Sequence, residues 1–206
     1  MTSTIINALS SSAQLDVTRK LTYFHFDSDD TERRKAHSMV RSLVVELSEQ
    51  CYGICQPIED LYKLSHSGLE EPSTQALMKT FAQIVDDSGA TFIVVDALDE
   101  CKDREYLFDI IEEMLNWKRR GLHVLLSSRT AEGAQPSLLD KACCVDLQNP
   151  LVDEDIDKYV RGRLQSDPQL GKWGLEKQIH EEISEIFREK SDTKYVSLPL
   201  NWTDNS

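Results

Sequence analysis

Three carboxylates, Asp96, Asp99 and Glu100, stand directly behind the apolar run Thr91-Phe-Ile-Val-Val95. A strand buried on both faces of a parallel sheet reads as such a continuous run, and it delivers Asp96 at its carboxyl end. In open α/β sheets, ligands bind at the carboxyl ends of the strands. Mg²⁺ prefers oxygen ligands and is usually held by one or two protein carboxylates together with phosphates and water. Asp96 is therefore placed to hold a Mg²⁺–nucleotide, directly or through water. Asp99 or Glu100 could then orient or deprotonate an attacking water. A simpler role for Asp99 and Glu100 is to cap the following helix, whose dipole favours acids at its start. Capping leaves Asp96 unexplained.

The next buried run, Leu122-His-Val-Leu-Leu126, leads through two serines to Arg129. Beside the first strand, its tip faces the same crevice, where the planar fork of Arg129 can reach a terminal phosphate. Taken alone, an arginine after a strand more often makes a surface ion pair. The five histidines are scattered, none beside a Cys or Ser in a nucleophile-like setting, and read as structural or surface groups. Cys51 and Cys55 have a three-residue spacer and no matching pair downstream at zinc-finger spacing. Together with Cys101, Cys143 and Cys144 they read as structural thiols in a reducing compartment.

The elements that must position these residues follow from periodicity. Residues 2–13 pattern as a helix, and Leu21 to Phe26 alternate as a strand that ends at the acidic turn Asp27–Asp30. Met39, Leu43 and Leu47 recur every four residues, predicting a helix capped by Asp30 or Thr31 and running to about Gln50. A short helix is expected over residues 58–64, and another capped by Ser73 and closed at Ser88-Gly89. Strand 91–96, helix 103–118, strand 122–128 and a shorter strand at 143–147 complete the alternation. Strands alternating with helices predict an α/β domain with parallel strands. Residues 151–164 and 175–190 pattern as two further helices, and 191–206 show no usable periodicity. The expected organisation is an α/β core over 1–150, a helical extension over 151–190 and a loose tail over 191–206.

With 206 residues, 40 % hydrophobic and 29 % charged, the chain has the composition of one folded domain rather than a disordered segment. Its formal charge of −13 speaks against a nucleic-acid partner, since phosphate-backbone binding draws on clustered Lys and Arg. No stretch approaches the ~20 apolar residues of a membrane span, and Met1–Ala13 lacks the basic start of a signal peptide. A cytoplasmic protein, without membrane or nucleic-acid partners, is the expectation.

The segments Tyr23-Phe-His-Phe-Asp27, Arg41-Ser-Leu43, Phe92-Ile-Val-Val-Asp-Ala-Leu-Asp-Glu-Cys101, Leu125-Leu-Ser-Ser-Arg129 and Asp155-Ile-Asp-Lys-Tyr-Val160 resemble the NACHT-type NTPase domain of filamentous-fungal STAND proteins. These often carry the label of a nephrocystin-like N-terminal domain, and the resemblance spans about residues 1–190. It implies a P-loop three-layer α/β fold, Mg²⁺ with ATP or GTP, and nucleotide-controlled self-association, or association with other STAND proteins, in signalling or heterokaryon incompatibility. By position, Asp96 would be the Walker B magnesium carboxylate, Asp99 with Glu100 the water-activating pair, and Arg129 the nucleotide-sensing arginine.

The phosphate loop of that family, G-x-x-x-x-G-K-[ST], is absent from these 206 residues. Met1 to Leu9 instead resembles the helix that follows the loop, so the expectation is a truncated core. Without the loop's backbone donors and lysine, nucleotide should bind weakly or not at all, and hydrolysis should fail. A non-catalytic interaction or regulatory module is the alternative. The resemblance also implies a central strand between 122–128 and 143–147. Its absence predicts that 143–147 pairs directly with 122–128, stays detached across an empty slot, or loses strand character; an empty slot would bare backbone groups, so marginal stability and self-association are expected.

Overall fold

The structure is a computed structural model. It describes residues 2–16, 18–119 and 121–129, the backbone alone at 12–15, the backbone of strands 143–146 and 194–199, and residues 154, 158, 159 and 162. Five helices are present among the described residues: α1 (Thr2–Leu15), α2 (Ala36–Glu49), α3 (Gln56–Leu64), α4 (Thr74–Asp86) and α5 (Arg104–Asn116). Five strands accompany them: β1 (Arg19–His25), β2 (Ala90–Asp96), β3 (Leu122–Ser128), β4 (Cys143–Asp146) and β5 (Lys194–Pro199).

The strands β1, β2 and β3 are parallel, as the sequence predicts, and β2 lies in the middle. The register sets His25 beside Asp96 and Val95 beside Leu126, so three strand ends finish level with one another. Alternate residues of these strands, Phe24, Ile93, Val95, Leu122, Val124 and Leu126, face one core with the buried sides of α2, α4 and α5. On α2 the expected every-fourth pattern is the buried stripe: Met39, Leu43 and Leu47 are fully enclosed. Helix α1 packs against β1 and β2 and none of its described side chains belongs to that core, which leaves it covering the other face. The fold is α/β, with helices on both faces of the three parallel strands.

Two local expectations meet different outcomes. Ser73 caps α4 as predicted, its Oγ accepting the Ala76 N–H at 3.2 Å. Helix α2 starts at Ala36 rather than Thr31, behind Lys35, which makes no side-chain cap. The reason is Asp30: its Oδ1 accepts the N–H groups of Glu32 (2.8 Å) and Arg33 (3.2 Å). That side chain stabilises a separate turn over residues 31–34, the usual competition of a short acidic side chain with helix.

The largest correction concerns residues 191–206. Instead of a loose tail throughout, Lys194–Pro199 form β5, which lies between β3 and β4 and is antiparallel to both. Val196 stands opposite Leu126 on one side and Cys144 on the other. The sheet has five strands in the order β1-β2-β3-β5-β4. The expected empty slot is thus filled, β4 does not pair with β3, and the grounds for marginal stability and self-association through a bare slot are removed. The two helices predicted at 151–164 and 175–190 lie outside the described residues, apart from helical positions 154, 158, 159 and 162. Glu154 and Lys158 pair there at 3.3 Å.

Candidate functional site

The carboxyl ends of β1, β2 and β3 bring together the four residues singled out by sequence. Asp96 ends β2 and is 23 % exposed. Its Oδ1 accepts a hydrogen bond from the Ser127 hydroxyl, and its Oδ2 lies 3.2 Å from Nδ1 of His25. Ser127 also accepts the backbone N–H of Ala97 at 3.1 Å, so one buried hydroxyl ties the β2 tip to β3. Directly after Asp96 the chain turns sharply, with Ala97 in the left-handed region at φ 59°. Such a conformation is costly for a residue with a Cβ and tends to mark functional turns.

That turn leads into a short 3₁₀ segment, Leu98–Glu100. Asp99 and Glu100 do not cap α5, which begins at Arg104 behind Asp103. Both point across the crevice to the end of β3. Asp99 Oδ1 accepts the Arg129 N–H (3.0 Å) and the Ser128 hydroxyl (3.3 Å), and Asp99 Oδ2 lies 3.3 Å from Arg129 Nε. Glu100 Oε1 pairs with Arg129 Nη2, and Glu100 Oε2 accepts the backbone N–H of Ser28 at 2.8 Å. The two acids are 17 % and 13 % exposed, whereas Arg129 is 53 % exposed. The guanidinium thus sits half in solvent over two largely buried carboxylates. The ion pair considered for Arg129 is present, and its partners are the two candidate catalytic acids.

The chemistry of this arrangement follows from charge. Three carboxylates share the crevice with one guanidinium, which faces Asp99 and Glu100, so the crevice attracts cations and repels a bare polyphosphate. Its donors are hard oxygens, which suit Mg²⁺ held by a single carboxylate with the remaining ligands from phosphate and water. Among the described residues no group of three or more His, Cys, Asp or Glu side chains forms an all-protein metal cage.

Sequence reading missed three members: His25, Ser28 and Ser127. His25 reads as one of the scattered histidines: its place near the end of the predicted strand Leu21–Phe26 puts it at the right edge of a sheet, but nothing in that segment says that its neighbour is Asp96. Ser127 stands two positions before Arg129, where strand alternation turns it toward the Asp96 side. Ser28 takes part through its backbone alone, which no side-chain pattern reveals.

The sequence model of the family described as "Nephrocystin 3, N-terminal" matches residues 1–129. The matched span runs from α1 to the last residue of the crevice, Arg129. No curated protein and no solved structure matches the chain.

Proposed function

This chain belongs to the nephrocystin 3 N-terminal family, and from that premise we propose that it is a NACHT-type, STAND-like nucleotide-responsive signalling domain. The crevice at the ends of β1–β3 is its nucleotide face. Asp96 is the Walker B carboxylate toward Mg²⁺, Asp99 and Glu100 are the water-activating pair, and Arg129 is the sensor. When bound with ATP or GTP, Mg²⁺ supplies neutralisation of phosphate charge.

The observation that carries this reading is the grip of Arg129 on both acids beside Asp96. Each oxygen of Asp99 and Glu100 already has a partner, so an approaching water must compete with Arg129, Ser128 and the Ser28 N–H for these carboxylates. A terminal phosphate competes for the same guanidinium, because Arg binds phosphate and carboxylate through the same planar fork. Movement of Arg129 onto phosphate would free Glu100. One side chain thereby couples occupancy to the release of a base.

The same grip favours a second reading, a non-catalytic interaction or regulatory module in which the acids serve only to hold Arg129. The absent G-x-x-x-x-G-K-[ST] motif agrees with it, since phosphate affinity rests on those donors. Titration of the purified chain with a fluorescent ATP or GTP analogue separates the two. Weak binding that disappears with EDTA and in Asp96→Ala supports a nucleotide face. Binding indifferent to both changes places any nucleotide elsewhere, and no binding at millimolar concentrations leaves the second reading.

A further inference from the structure

At the opposite end of the sheet, a cavity of about 460 Å³ opens beside the first residues of β1, lined among others by Thr18, Lys20, Cys51, Tyr52, Cys55 and Gly89. Lys20 is only 7 % exposed. Among the described residues its ammonium has no carboxylate partner; its contact is Cys51 Sγ, at 3.4 Å. Cys51 Sγ in turn lies 3.2 Å from Cys55 Sγ. The two thiols flank the turn between α2 and α3, with Gly53 between them at φ +74° and nothing within 4 Å of where its Cβ would stand. A buried cation is expensive unless an anion or strong dipole answers it, and the group facing this one is a sulfur.

From this arrangement we propose that Cys51 and Cys55 form a peroxide-responsive dithiol, with Lys20 as the charge that activates Cys51. The Cys51 thiolate attacks one oxygen of a hydroperoxide. An S–O bond forms, the O–O bond breaks, and the leaving oxygen takes a proton to depart as water or alcohol. Cys55 then attacks the Cys51 sulfenic acid. The S–S bond forms, the S–O bond breaks, and the hydroxyl leaves as water with the proton from Cys55. Two thiols lose two electrons, and the peroxide gains them.

The division of labour follows from the surroundings. Burial, followed by the hydrogen bond with Cys51, pushes the Cys55 thiol up to about 11. Cys55 therefore keeps its proton while Cys51 is reduced. Shortening the sulfur separation from 3.2 Å to the ~2.05 Å of a disulfide needs only a small movement of a turn with an open glycine at its centre. The product would staple the end of α2 to the start of α3, next to Gln50, whose amide bonds Leu21 of β1 on both its N–H (3.0 Å) and its C=O (2.7 Å).

The test exposes the folded 206-residue chain to hydrogen peroxide, blocks remaining thiols and maps the tryptic peptide covering residues 42–63. The expected product is that peptide lighter by two hydrogens, its halves held together after chymotryptic cleavage at Tyr52 until reductant is added. Buried Cys101, whose thiol burial also pushes up, should react more slowly in the same sample. Lys20→Met should slow disulfide formation roughly ten-fold while Lys20→Arg restores most of the rate. Oxidation of Cys101 as fast as Cys51, or separate over-oxidation of Cys51 and Cys55 without a link, would overturn the proposal even if Lys20→Met failed to fold.

Discussion

Arg129 decides the state of the crevice, because it is the one cation bonded to both Asp99 and Glu100 among the described residues. Removing it would leave two acids, each more than four-fifths buried, facing each other without a counter-charge. Breaking a fully buried ion pair costs about 3–5 kcal/mol and an exposed one about 0–1. With the guanidinium half exposed, Arg129→Ala should destabilise the chain by about 1–2 kcal/mol in urea unfolding. Arg129→Lys should recover only part, since an ammonium lacks the fork that spans both acids. A midpoint unchanged in Arg129→Ala would mean that the grip is idle. A second expectation concerns turnover: these 206 residues carry no G-x-x-x-x-G-K-[ST] donors, so phosphate should not stay long enough to draw Arg129 off the acids, and with Mg²⁺ present this chain should release no phosphate from ATP or GTP above background. Steady release that disappears in Asp96→Ala would refute this. At this scale the sequence was readable where a side chain sits at the tip of an unmistakable strand, as with Asp96 and Arg129. It was not readable where the contact depends on which neighbouring strand arrives, as with His25, or on backbone alone, as with Ser28.

The elements hold the crevice by closing tightly at the far end of the sheet. Gly121 enters β3 at φ +83°, and a Cβ there would lie 2.6 Å from the carbonyl oxygen of Gly89. Its own C=O accepts the Thr91 N–H at 2.9 Å, fixing the β2–β3 register that sets Asp96 beside Ser127. Gly121→Ala combines left-handed strain of about 1–2 kcal/mol with a backbone clash that no rotamer relieves. A loss of at least ~1.5 kcal/mol is expected from denaturant midpoints, and an unperturbed midpoint would contradict the tight crossing. The cap of α4 offers a finer test. Ser73→Ala should cost about 1 kcal/mol, and Ser73→Gly only a few tenths; equal losses would show that something other than the Oγ bond is at work. Helix interiors were legible because apolar residues recur at fixed spacing. The start of α2 was not, because Asp30 had two turns within reach and its side chain took the nearer one.

For the whole molecule, the decisive feature is that the sheet is completed from sequence far downstream. Lys194-Tyr-Val-Ser-Leu-Pro199 alternates side chains and includes β-branched and aromatic residues suited to a pleated surface; Pro199, which cannot donate, falls at the strand's last position. Six residues with a polar run behind them carry little periodic signal, and nothing local announces that their partners are β3 and β4. Because β5 has a neighbour on each side, every interior N–H can join a ladder, and a proline at Val196 must remove one of these bonds and push against an adjacent strand. Val196→Pro is therefore expected to lower stability by roughly 2 kcal/mol or more. It should also uncover the edge of β3, an invitation to pairing between molecules. The parent chain should unfold in one concentration-independent step and elute as a single species, whereas Val196→Pro should shift to higher apparent mass as concentration rises. If the variant matched the parent in midpoint and elution, β5 would contribute nothing to closing the sheet.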